Sequence, residues 1–142
     1  MDLSGGVILC MSTITRLEEL EIWLLARKYA KDINQLIKTE LFRYEFGLKE
    51  QMKNSAGSIM DNIAEGFGRG SKYEFVNFLT IAKGSAEESR SQLYRCLDCN
   101  LIDQIKYNEM YVQVEIIVRK IASFILYLNS VNIKGQKFKD RI

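Results

Sequence analysis

Four stretches of the chain repeat apolar residues at intervals of three and four, and this periodicity limits the fold more than anything else in the sequence. Trp23, Ala26, Ala30, Ile33 and Ile37 form the first stripe; Leu48, Met52, Ala56, Ile59 and Ile63 form the second. Phe75, Leu79, Ala82, Ala86, Ser89, Leu93 and Cys96 form the third, and Tyr111, Val114, Val118, Ile121, Ile125 and Leu128 form the fourth, which is the most regular heptad. Such spacing places each set on one face of a helix. It predicts helices over residues 16–40, 46–66, 72–100 and 104–130. No segment alternates with period two, so no strand is expected. The 142 residues contain no proline, as suits long helices, where an interior proline would cost roughly 3 kcal/mol. Helices of about 25 residues are roughly 37 Å long. Links as short as residues 41–45 and 101–103 make neighbours antiparallel, giving an all-α, antiparallel up-down-up-down four-helix bundle over residues 15–130.

The glycine-rich stretch between the second and third stripes, Gly66-Phe67-Gly68-Arg69-Gly70-Ser71-Lys72, has the look of a phosphate-cradling loop. A Walker loop needs four residues between its glycine and its Gly-Lys pair, and a dinucleotide fingerprint needs Gly-x-Gly-x-x-Gly, each after a strand. The stretch meets neither spacing and follows a helix. Ser71 and Glu74 instead stand at capping-box spacing before Phe75: the Ser71 hydroxyl accepts from the Glu74 amide while the Glu74 carboxylate reaches back to that of Ser71. A third helix starting there and a left-handed Gly66 or Gly68 ending the second make this a helix-turn-helix corner. Asp103 is the candidate N-cap of the fourth helix.

Charge and cysteine content narrow the function classes. The chain carries 20 basic and 18 acidic residues, and the last twelve residues hold Lys134, Lys137, Lys139 and Arg141 against Asp140. The remaining residues, 1–130, therefore hold 16 basic and 17 acidic groups: a near-neutral body and a basic, flexible tail over 131–142. Cys10, Cys96 and Cys99 make an odd set without a disulfide framework, and no signal-peptide pattern precedes them, so the expected location is cytoplasmic. The apolar run of residues 5–11, GGVILCM, is too short to span a bilayer. Gly5-Gly6 codons read GGNGGN, compatible with a ribosome-binding site before Met11; translation is expected to start there, with residues 1–14 a disordered or non-native extension.

Candidates for chemistry are few. Histidine is absent, which removes a serine triad, a Glu-x-x-His di-iron bundle and most zinc-dependent hydrolysis. Cys96-Leu97-Asp98-Cys99 is a single Cys-x-x-Cys near a helix end, away from the N-terminal dipole that activates thiols, and reads as core packing. Glu87 and Glu88 point about 100° apart on a helix; Glu65 could approach one of them across the bundle, and a satisfied polar network is the expected outcome. No cofactor or metal is expected. Small residues are more informative: Ser55, Ala56 and Gly57, then Ala82, Gly84, Ser85 and Ala86, where each glycine costs nearly 1 kcal/mol of helix propensity. They indicate close backbones, either within the monomer or between subunits. Leu24, Leu25, Ile81, Ile116 and Leu126, off the main stripes, tilt the balance toward assembly.

Asn62-Ile63-Ala64-Glu65-Gly66-Phe67-Gly68-Arg69 followed by Ala82-Lys83-Gly84-Ser85-Ala86-Glu87-Glu88 resembles the signature of the four-helix bundle proteins encoded in bacterial 23S ribosomal RNA intervening sequences. The likeness begins at Leu20-x-x-Trp23-x-x-Ala26 and covers roughly residues 15–130. Met60-Asp61 departs from the Pro-Ser of many relatives. The resemblance implies a homo-oligomeric, pentameric bundle without established enzymatic activity, with Asn62, Glu65, Gly66, Arg69, Gly84, Ser85 and Glu88 as structural motif or interface positions. A more distant relative by fold is the accessory variability protein of diversity-generating retroelements, a basic pentamer thought to bind nucleic acid and its reverse transcriptase.

The expected function is a non-catalytic oligomeric bundle associated with structured RNA or an RNA-protein particle. Phosphate contacts would come from Arg69, Lys72 and Lys83 and from the tail residues Lys134, Lys137, Lys139 and Arg141. The rivals are a protein-interaction scaffold and a reverse-transcriptase accessory protein; an enzyme is the remaining class.

Overall fold

The computed structural model describes residues 14–131, so the tail cations Lys134, Lys137, Lys139 and Arg141, together with Cys10 and the proposed start at Met11, lie outside the described residues. Among the described residues, four α-helices make up the architecture: α1 (Glu21–Leu36), α2 (Phe46–Arg69), α3 (Lys72–Asp98) and α4 (Gln104–Ser130). Each packs on its sequence neighbour, and α1 also touches α4, closing the bundle. The second and third stripes are buried at every position. Each fully buried aliphatic side chain there, such as Ile59, Ile63 or Leu79, contributes roughly 1.5–3 kcal/mol. Among the described residues, no helix is long and apolar enough to cross a membrane.

The first helix is shorter than residues 16–40. A 3-10 turn, Leu17–Glu19, precedes it and another, Glu40–Phe42, follows it. The reason is burial at the two ends of the bundle. Leu20 and Phe42, 2% and 0% exposed, reach the core only because the chain leaves the helix beside them. Thr39 takes an extended conformation and its hydroxyl donates to the Leu36 carbonyl at 2.7 Å, ending α1. Ile14, assigned by sequence to the N-terminal extension, is buried as well.

The second helix is longer than residues 46–66. Gly66 and Gly68 are helical, and the left-handed residue that ends α2 is Gly70, with φ 73°. Gly66 serves close approach instead: a Cβ there would lie 2.7 Å from Phe78 Cβ and 3.0 Å from Phe75 Cδ1. Ser71 caps α3 as expected, its hydroxyl accepting from the Glu74 amide at 3.4 Å. The Glu74 carboxylate, expected to reach back to Ser71, lies 3.9 Å from Arg69. At its other end α3 stops at Asp98; Asn100 adopts φ 57° and the Leu101 amide donates to the Cys96 carbonyl at 2.9 Å, a left-handed cap that asparagine tolerates. Asp103 caps α4 by accepting from the Lys106 amide at 2.7 Å.

The seam between α2 and α3 is the most extensive in the bundle, and α3 carries a ladder of hydrogen bonds into its neighbours. Ser85 and Ser58 share one at 2.8 Å, Ser89 and Tyr29 another at 2.6 Å, and Ser55 donates to Gln92 at 2.6 Å. Burial raises the Tyr29 hydroxyl well above its ordinary pKa, opposed in part by the Ser89 hydrogen bond. Among the described residues no buried side-chain nitrogen or oxygen is left without a partner. Phe67, Phe75 and Phe124 meet edge to face across three helices, with centroid separations of 6.1 and 5.5 Å.

Candidate nucleic-acid interface and subunit face

The motif residues divide into an inward and an outward set. Inward, Asn62 donates to the Ser58 carbonyl and hydroxyl at 2.8 and 2.9 Å, Ser58 meets Ser85, and Gly66 admits Phe75 and Phe78. Asn62, Ser85 and Gly66 thus serve the α2–α3 seam. Outward, Glu65 accepts from Arg69 at 2.7 Å, while Gly84 and Glu88 are exposed. A Cβ at Gly84 or Gly57 would meet nothing within 4 Å, so close packing inside the monomer does not explain either glycine.

The structure does not bring the three candidate carboxylates together. Gly66 is level with Phe78 and Ser58 with Ser85, which leaves Glu65 near one end of the seam and Glu87 and Glu88 far along it. Glu87 pairs with Arg90 at 2.8 Å. Cys96 is buried with its sulfur 3.4 Å from that of Met52, and burial pushes its thiol up to about 12. A thiol so protonated is a poor nucleophile at neutral pH.

The expected phosphate contacts on the body are partly engaged. Arg69 binds Glu65, faces Glu74 and lies over the Phe78 ring at 5.2 Å. Lys72 donates to the Val131 carbonyl at 3.3 Å. Lys83 is partly exposed.

A different cationic surface stands at the α1–α2 corner, which sequence reasoning passed over as a link. Lys38, Arg43, Lys49 and Lys53, against Glu40 and Glu50, line an open depression of about 600 Å³. Phe46 lines the depression too, and Leu41, Tyr44 and Phe46 at this corner are 63%, 71% and 70% exposed. The Arg43 guanidinium lies 4.9 Å from the Tyr44 ring centroid and the Lys49 ammonium 5.2 Å from that of Phe46. Interleaved Arg/Lys and aromatic residues in Arg43-Tyr44 and Phe46-Gly47-Leu48-Lys49 were the available signal; exposure, which decides its meaning, came only with the turn geometry.

A model of the family described as 23S rRNA-intervening sequence protein matches residues 18–123. No match was found among curated proteins. A solved structure from Bacteroides thetaiotaomicron, described as a protein with unknown function from the S23 ribosomal protein family, is similar in fold. It shares 24% identity over 73% of this chain and 97% of its own, with a TM-score of 0.68.

Proposed function

The chain belongs to the 23S rRNA-intervening sequence protein family, and we propose that it acts as a non-catalytic, homo-oligomeric helical bundle that associates with structured RNA. The α1–α2 corner carries this reading: exposed Tyr44 and Phe46, each beside a cation, offer stacking faces for unpaired bases, and the surrounding lysines offer phosphate contacts. Lys83 and the tail residues Lys134, Lys137, Lys139 and Arg141 supplement the charge, whereas Arg43 would have to give up Glu40, and Arg69 two carboxylates, to contact phosphate. Repetition of a weakly basic surface by assembly, five-fold as the resemblance implies, raises its avidity. Dispersed carboxylates and a protonated Cys96 support a non-catalytic role.

Binding of a loop-containing ribosomal RNA fragment, measured at two salt concentrations, tests the proposal. Tyr44→Ala with Phe46→Ala should weaken binding at least tenfold, since each stacked base contributes about 1–3 kcal/mol. Equal affinity for wild type and double variant would remove the corner from the interface. A protein that binds no RNA would leave the second reading, a scaffold or reverse-transcriptase accessory protein, which the exposed Ile116 and Leu126 on α4 favour.

A further inference from the structure

Helix α4 carries apolar residues on two faces. Tyr107, Met110, Val114, Ile117, Ile121, Phe124 and Leu128 are buried against the bundle. On the opposite side Ile105, Val112, Ile116 and Leu126 are 76%, 53%, 39% and 70% exposed. With Glu109, Arg119 and Ser123, all exposed, they occupy positions 105, 109, 112, 116, 119, 123 and 126. The steps alternate four and three, the a/d repeat of a coiled coil. At about 100° per residue, positions 112 and 116 each fall about 200° from 114, on the far side of the helix from the core. The stripe is roughly 32 Å long at 1.5 Å per residue. Among the described residues nothing covers it.

The order of residues within the stripe identifies its partner. Read outward from residue 114, the two halves complement each other: Val112 answers Ile116, Glu109 answers Arg119, and Ile105 answers Ser123, whose small side chain leaves room for it. We propose that this face packs on the same face of a second copy, antiparallel, about a two-fold axis level with Val114. Val112 then lies against Ile116 of the partner subunit, and Glu109 against Arg119 of the partner subunit, each contact occurring twice as an isologous interface requires. A parallel pairing would set Glu109 beside Glu109 and Arg119 beside Arg119, like charges at the same level. Charge complementarity therefore selects the antiparallel arrangement. In the monomer Glu109 pairs with Lys106 at 2.9 Å and Arg119 with Glu115 at 2.7 Å, both at the exposed surface and within one helix, so these pairs oppose the exchange only weakly.

This inference rests on the homo-oligomeric reading and adds a geometry to it. A closed five-fold ring uses two different surfaces of each subunit, whereas an isologous seam joins copies two by two. With the seam as the one two-fold contact, two rings of five meet through it, and breaking it halves the particle.

Light scattering on the full chain provides the test. Ile116→Arg should halve the mass with helical circular dichroism unchanged. Glu109→Arg and Arg119→Glu should each do the same, and the combined Glu109→Arg/Arg119→Glu chain should recover the wild-type mass. An oligomeric wild type whose mass none of these variants changes overturns the seam and leaves assembly standing. So does failure of the double variant to recover, or a fall to one fifth, which would assign α4 to a ring contact. A wild-type chain that stays monomeric at about 100 μM, where even weak two-fold contacts populate, overturns both readings.

Discussion

The two ends of α2 are built on opposite plans. At its C-terminal end the chain reverses through a left-handed Gly70, a capping Ser71 and a helix contact so close that Gly66 has no room for a methyl group. Arg69 is held there by two carboxylates and an aromatic ring. At its N-terminal end the cap residue Glu45 makes no side-chain cap hydrogen bond, the connection runs through a 3-10 turn, and Leu41, Tyr44 and Phe46 stand in solvent. One corner is closed on itself. The other leaves the Tyr44 and Phe46 rings exposed beside Arg43 and Lys49, with Arg43 paired only to Glu40 among the described residues, at 3.0 Å.

The sharpest way to break this contrast is at the closed corner. Gly66→Ala should destabilise by about 1–3 kcal/mol, because the steric cost against the Phe78 Cβ exceeds the nearly 1 kcal/mol gained in helix propensity. Gly68, two residues on, faces open space. Gly68→Ala should instead stabilise by up to about 1 kcal/mol, and denaturant melts of the two variants should move in opposite directions. Ser71→Ala should cost about 0.5–1 kcal/mol, the low part of the capping range given the 3.4 Å bond; an unchanged midpoint would mean the cap contributes nothing. At the open corner, Tyr44→Ala with Phe46→Ala should shift stability by less than about 0.5 kcal/mol. A larger loss would show that these rings support the fold, and the contrast between the corners would fail.

The same two corners show what the sequence made legible. The second and third stripes and the caps Ser71 and Asp103 follow from local periodicity and hydrogen-bond chemistry, and they stand where expected. Gly66 did not, since a glycine serves either a turn or a close approach and only the packing of Phe75 and Phe78 decides which. Thr39 ended α1 before its periodic pattern ran out, because burying Phe42 required a break that no spacing rule encodes. Leu24, Ile81, Ile116 and Leu126 were recognised as lying off the stripes and are exposed; Leu25 is only partly so. The separation of Glu65 from Glu87 and Glu88 was not legible, because it depends on the register of α2 against α3; the arginine partners of Glu65 and Glu87, four and three residues on along the same helix, were.

The hydrogen-bond ladder of α3 has a consequence for time as well as for stability. Ser85, Ser89 and Gln92 hold Ser58, Tyr29 and Ser55 on two different helices. An apolar stripe tolerates sliding by one turn, since one aliphatic contact replaces another. The ladder does not, because any slip strands several buried polar groups at once, at about 1–3 kcal/mol each. Partial motions of α3 are therefore closed to the molecule, and its central amides can exchange hydrogen with water only when α1, α2 and α3 come apart together. Residues 85–92 should be the slowest clock in the protein, running at the rate of global opening while both corners of α2 exchange ahead of it.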